Sequence, residues 1–343
     1  MTDLAPFCAD LKLDEPAVRR VLDSANDAAG KQAPWYVLLL LGLGAWITAL
    51  IMIVFVAVLL NVILDLDEPG LGSAAIGAVM FACGLLIQAK TDESVFAEQF
   101  AIALVAAGAA IAAGSIGFEF ESLWSAAVAA AAMAAVDISR GRHLQQQFLL
   151  AALAVGLGIA ALSDALVSPA VAVAVVALAA PIGAALYLRP PPRDMRPTAT
   201  ALLLAMPFYA LVNDSLYVPV YGSESWIARI IATATILGLA WLRGRAAAAG
   251  ARLRLLLFAI VGAAICLLLP PGGSAALVIL MLAFTLGHWP LAIVGVLLEI
   301  YFVPRFYYDL ELSLLTKSWI LMAVGAALLA TYAILRRGGA VRP

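Results

Sequence analysis

From Tyr36 onward, apolar stretches of about twenty residues follow one another with only short polar gaps between them. A helix of that length spans a hydrocarbon core of roughly 30 Å, and a water-soluble domain has no use for so many in succession. Hydrophobic residues make up 65% of the chain and charged residues 12%, with a mean hydropathy of +1.04. The fold class is therefore all-α: a polytopic bundle of transmembrane helices, in which each backbone polar group is satisfied within its own helix.

Spans are expected at about 36–60, 71–89, 96–115, 119–138, 145–163, 166–188, 198–213, 225–242, 253–269, 274–287, 288–303 and 314–335, about twelve in all. Residues 1–34 read as a short cytoplasmic helical lead, residues 35–337 as the transmembrane domain, and residues 338–343 as a cytoplasmic tail. In the lead, Pro16 suits a first helical turn, and Leu13, Val18, Val21, Leu22, Ala25 and Ala29 form one apolar stripe. Gly30 and Pro34 break it before Trp35 and Tyr36, which suit the membrane interface. The lead has no apolar run of the kind a cleavable signal needs, so the first span is expected to direct its own insertion.

The basic residues set the threading. Of the 20 Lys and Arg, all but Arg229, Arg305 and Lys317 lie in alternate gaps. Lys12, Arg19, Arg20 and Lys31 precede the first span, Lys90 follows the second, and Arg140 and Arg142 follow the fourth. Arg189, Arg193 and Arg196 follow the sixth, and Arg243, Arg245, Arg252 and Arg254 the eighth. Arg336, Arg337 and Arg342 close the chain. The intervening gaps are mainly acidic, from Asp65, Asp67 and Glu68 to Asp309 and Glu311. Short loops rich in Lys and Arg stay cytoplasmic, which puts both termini inside and the acidic gaps outside.

Residues 274–303 form an apolar run broken only at Gly287, His288, Trp289 and Pro290. As one helix they would reach about 45 Å, too long for the core without strong tilt. Two spans are expected, since a single one would place the C-terminal arginines outside. The break is then a tight hairpin or, as in some transporters, the meeting point of two half-helices at a binding site. A second regularity is the likeness of Gln99–Ser115 to Gln147–Ser163, 48 residues apart, compatible with a duplicated helical hairpin or with the mutual resemblance of Ala-rich membrane helices. Small residues such as Gly42, Ala45, Gly108 and Gly156 are expected to let helices approach closely.

The richest polar segment is Pro304–Ser318. A helix there brings Arg305 to Asp309 at i,i+4 and sets Tyr307 and Tyr308 near Glu311. Lys317 then lies about one turn inside the last span, where a charge costs roughly 2.5–3.5 kcal/mol unless it snorkels or pairs. This segment is either an interfacial anchor with local ion pairs or a binding patch made of Arg305, Tyr307, Tyr308, Asp309, Glu311, Lys317 and Ser318. Arg229 and Glu299 fall at similar depth, each about a turn inside a span, and an intramembrane ion pair between them would make both tolerable.

Catalytic signatures are absent from the sequence. It has no phosphate loop, nucleophile elbow or zincin helix, and His143 and His288 lack a second ligand at metal spacing. Cys8, Cys83 and Cys266 are too scattered for a disulfide framework or zinc site. No metal, no cofactor and no nucleic-acid partner is expected, and the chain is not expected to be an enzyme. Glu98, Gln99 and Asp137, at the ends of the third and fourth spans, read as packing caps or as the rim of a cytoplasmic vestibule.

Two stretches carry a family likeness. One is Pro34-Trp35-Tyr36 with Leu41-Gly42-Leu43-Gly44-Ala45-Trp46; the other is Phe306-Tyr307-Tyr308-Asp309-Leu310 with Leu314-Leu315-Thr316-Lys317-Ser318 and Gly325. With Glu98-Gln99-Phe100-Ala101, they make the chain resemble an uncharacterised family of multi-pass bacterial inner-membrane proteins, typically encoded beside a small membrane protein with a GDYxxLxY motif. The resemblance implies that Tyr307, Tyr308, Lys317 and Ser318 belong to a recurring signature. It also implies a separate GDYxxLxY-type partner, since this chain has no GDY sequence. It carries no activity. The expected role is a subunit or scaffold of a membrane complex engaging that partner through the last periplasmic loop. The alternative is a secondary transporter or lipid-handling protein with a site between the outer ends of spans 8, 11 and 12. A lipid or envelope enzyme using Asp309, Glu311 and Lys317 is a third, weaker reading.

Overall fold

The computed structural model describes residues 35–64, 70–90, 94–140, 143–165, 168–188, 195–215, 225–245 and 249–309 without gaps, and scattered residues between 313 and 330. The expected lead (1–34) and tail (338–343) lie outside the described residues, as do Glu311 and Lys317.

Among the described residues the chain is helical, with no strand. The helices are α1 (Trp35–Leu64), α2 (Leu71–Lys90), α3 (Val95–Glu119), α4 (Leu123–Arg140), α5 (Leu144–Ala165) and α6 (Pro169–Leu188). They continue with α7 (Arg196–Ser215), α8 (Ser225–Arg245), α9 (Ala249–Leu268), α10 (Pro271–Leu286) and α11 (Trp289–Asp309). Each of the first eleven expected spans overlaps one of these helices. Seven, namely α2, α3, α4, α5, α6, α8 and α11, are long and apolar enough to cross a membrane. The shorter apolar helical stretches are Leu40–Phe55 in α1, Arg196–Val212 in α7, Leu255–Leu268 in α9 and Pro271–Leu286, the whole of α10. The expected twelfth span falls on residues described only in part.

Turn chemistry explains the boundaries. The expected span at 119–138 begins later, at Leu123, because Glu119–Ser122 forms a reversal with Glu121 at φ 47°. Ser122 N donates to Gly117 O, and Ser125 Oγ donates to Ser122 O, closing the turn. α10 starts earlier than expected, since Pro271 suits a first helical position, where no backbone donor is needed. At its other end Gly287 sits at φ 65°, ψ 27°, and His288 N donates to Ala283 O. That left-handed cap suits glycine, which has no Cβ to clash. His288 Nδ1 then accepts from Leu291 N and caps α11. The 274–303 run is thus two helices joined by a two-residue hairpin.

The chain divides into two compact units. The first comprises Met1–Asp65 and Ala82–Val105. In it Ala45 and Ala49 are buried, and Trp46 Nε1 donates to Gln99 Oε1 at 3.4 Å. Leu43, Ile47, Ile51 and Val54 of α1 stay exposed, which is the surface an apolar solvent tolerates.

The second unit comprises Leu66–Phe81 and Ala106–Pro343. Helices α4 and α5 form one hairpin, and α6 to α11 pack around α10. α10 touches α6, α7, α8, α9 and α11 and buries residues on every side. Leu203, Ile236, Ile279 and Leu282, from α7, α8 and α10, are wholly enclosed there. Between membrane helices such contacts hold by close packing, because lipid tails are as apolar as leucine. Of the small residues singled out in the sequence, Gly108 does bring two backbones together, against Phe81, and Ala45 is buried. Gly42 and Gly156 meet nothing within 4 Å among the described residues.

Candidate functional site

The polar groups that matter in the second unit gather where α9 turns into α10. The turn is tight: Leu268 ends α9 and Pro271 opens α10. Such a turn leaves the last carbonyls of α9 without helical donors. Fully buried Ser274 gives its hydroxyl proton to Cys266 O at 2.8 Å, the nearest of three carbonyls around Oγ, while Pro270 O, 3.1 Å away, already accepts from Ser274 N and Leu269 O lies at 3.3 Å. In return the fully buried Cys266 Sγ donates to Ser274 O at 3.7 Å.

Arg229 completes the cap. It lies one turn into α8, only 9% exposed, and its Nη1 donates to Leu267 O at 3.4 Å. The guanidinium also lies 5.1 Å from the centre of the Trp226 ring. A cation at a helix C-terminus is favoured by the helix dipole, and an aromatic face stabilises it further.

Glu299 stands near the middle of α11. The neighbouring turn of α11 fixes its depth, because Phe302 packs so closely on Gly272 that a Cβ there would come within 2.3 Å of the ring. Both Glu299 carboxyl oxygens are buried, and neither has a hydrogen-bond partner among the described residues. Arg229 comes from α8 and Glu299 from α11. They are not joined by a hydrogen bond in this structure.

The expected outer patch is described in part. Arg305 Nη1 donates to Tyr301 Oη at 3.3 Å, one turn earlier on α11. Tyr307 and Tyr308 meet edge to face with centres 5.8 Å apart, and Tyr308 is 79% exposed. Asp309 ends α11, but its side chain lies outside the described residues, as do Glu311 and Lys317. Ser318 is exposed. The described part of this segment is thus a helix end with an aromatic pair.

A second polar cluster sits in the α4–α5 hairpin. Asp137, Gln146 and Gln147 are all buried, and Gln146 Nε2 donates to Asp137 Oδ1. The sequence singled out Asp137 but not Gln146 or Gln147 as its neighbours. Glutamines entering an apolar helix just after a short loop were the available signal. Ser274 and Cys266 were also missed, and the Pro-Pro-Gly-Gly turn that separates them was the cue to look.

An apolar groove of about 390 Å³ runs between α6 and α8, lined by Leu178, Pro181, Ile231, Thr235, Gly238 and Leu242 among others. Among the described residues, no group of three or more His, Cys, Asp or Glu could hold a metal ion.

Residues 34–338 match a family described as a domain of unknown function (DUF4401). The chain belongs to that family. Arg229, Cys266, Ser274, Glu299 and the Tyr307–Tyr308 pair all fall inside the DUF4401 region. Comparison with curated proteins and with solved structures gives no match.

Proposed function

We propose that this DUF4401 protein is a non-enzymatic, multi-pass subunit of a bacterial inner-membrane complex. In this reading about twelve spans leave both termini cytoplasmic. The last periplasmic loop engages a small membrane partner of the GDYxxLxY type. The observation that carries the reading is the exposed Tyr308, braced edge-on by Tyr307 at the end of α11. Aromatic side chains of this kind are the commonest anchors of protein interfaces, offering large contact area at low entropic cost. Lys317 and Ser318, which follow on the next stretch of chain, supply the polar part of the patch. The test is purification in a gentle detergent with the partner co-expressed. Wild-type protein is expected to retain it, and a Tyr307→Ala/Tyr308→Ala double variant to lose it while eluting at the position of wild-type protein expressed without the partner. Equal retention by both ends this reading.

A second reading, secondary transport or lipid handling, is supported by Glu299. An ionisable group inside a membrane helix is costly and most often marks a substrate or ion pathway. Reconstitution into liposomes with a pH-sensitive dye separates the two readings. Proton or solute flux that disappears in Glu299→Gln supports transport, and the same background leak in both proteins removes it.

A further inference from the structure

The apolar groove between α6 and α8 belongs to neither reading. It runs from Leu178 to Leu188 on α6 and from Ile231 to Leu242 on α8, about 15 Å along each helix. Its walls offer a ligand almost nothing polar. The hydroxyl of Thr235, the one polar side chain among them, donates to Ile231 O at 2.7 Å. Nothing lies within 4 Å of where a Cβ on Gly238 would stand, so open space remains over that glycine.

At the C-terminal ends of the two helices the chemistry changes. The lining positions of α8, namely Ile231, Ala234, Thr235, Gly238, Leu239 and Leu242, recur at three and four residues, and Arg245 is the next on that face. Arg243 stands one turn beyond Leu239. Helical side chains lean toward the N-terminus, so an arginine here covers the turn before it, back toward the groove. The Arg245 guanidinium does so, 3.6 Å from the centre of the Trp241 ring.

Neither arginine has a hydrogen bond or ion pair among the described residues, and Arg243 Nε is buried without a partner. Capping of α8 does not account for them, because Arg252 Nε already donates to Gly244 O at 2.9 Å. A guanidinium lying over an aromatic ring keeps its in-plane N–H groups for an anion. The charge at this end is one-sided. Residues 189–196 and 243–254 together hold seven arginines and one acid, Asp194.

We propose that the α6–α8 groove binds an anionic phospholipid, with one acyl chain along the groove and the phosphate on Arg243 and Arg245. The chain is the part of a lipid that needs no hydrogen bond, and the groove offers none. Charge selects the headgroup, since clustered basic residues at the membrane surface attract anionic lipids, whereas a zwitterionic lipid brings an ammonium group to arginines. Lipid that merely surrounds the bundle has the same tails but no preference for one headgroup or one groove. The site involves neither Tyr307 and Tyr308 nor Glu299, and it stands whichever reading of the function holds.

The test uses the full-length protein in phosphatidylethanolamine vesicles containing phosphatidylglycerol with a diazirine on its acyl chain. After irradiation, peptide mass spectrometry is expected to place the adducts mainly within residues 178–188 and 231–242. In gentle detergent, native mass spectrometry is expected to show one retained phosphatidylglycerol, with phosphatidylethanolamine held about tenfold more weakly. Arg243→Gln/Arg245→Gln removes that preference. Gly238→Leu puts a side chain into the open space of the groove and lowers both retention and adducts there. Inorganic phosphate, which has no tail, leaves the lipid in place; its displacing the lipid overturns the part given to the groove. Should a variant fail to fold, the adduct map of the wild type still decides. Adducts spread evenly over every exposed helix overturn the proposal, as does a double variant that keeps the headgroup preference.

Discussion

Two carboxyls are enclosed in the second unit, and they are provided for differently. Asp137 lies in the α4–α5 hairpin, where Gln146 from the opposite helix donates to one of its oxygens. Glu299 lies on α11 with no donor to either oxygen among the described residues. A buried polar group with a dedicated partner ties two helices together, and losing the partner is what costs most. A buried polar group without one adds no such tie. The contrast is one of degree, since the second oxygen of Asp137 also lacks a hydrogen-bond partner among the described residues.

The comparison can be broken or sharpened by substitution. Gln146→Leu leaves Asp137 with no described hydrogen bond and should lower stability by about 1–3 kcal/mol, seen as an earlier thermal transition in detergent. An unchanged transition would mean that Asp137 is no better provided for than Glu299. Gly272→Ala drives a Cβ into the Phe302 ring and should cost about 1–3 kcal/mol. The measurement is again the thermal transition in detergent, and an unchanged transition would mean that the close packing of Phe302 on residue 272 is not tight. Arg229→Met removes a helix-end cation and its contact with Trp226, for an expected loss of about 1 kcal/mol. Glu299→Leu should leave stability within about 0.5 kcal/mol of wild type or raise it, because no described hydrogen bond is lost. A loss as large as that of Gln146→Leu would make Glu299 a structural acid too. The smallest effect is expected for Tyr308→Ala, within about 0.5 kcal/mol for the isolated chain, with its consequence confined to partner retention.

The sequence made the helices legible because each is bounded by strong local signals. The break at Gly287 is a stop that the structure keeps, whereas α10 opens at Pro271, before its expected start. The 119–138 boundary was missed because Glu119 and Glu121, read as the edge of a span, instead belong to a reversal with a left-handed residue. The sites were less legible, for a physical reason. Asp137 meets Gln146, and Cys266 meets Ser274, across turns whose tightness decides which side chains face each other. Periodicity reports the face of a helix, but an all-apolar helix such as α10 has no distinct face to report. Depth was easier to read than direction. Arg229 stood out in the sequence as an intramembrane charge, but which acceptor its Nη1 takes depends on where α9 ends.

α10 has 16 residues, about 24 Å of helix, and the hydrocarbon core is roughly 30 Å thick. It is flanked by α6, α7, α8, α9 and α11. It is shorter than the core is thick, and its neighbours take up the contacts that lipid would otherwise make. Its place in the bundle is therefore defined by partners on both sides in the order of synthesis, four made before it and one after. Of these five partners α11, the helix that carries Glu299, is the one synthesised after α10.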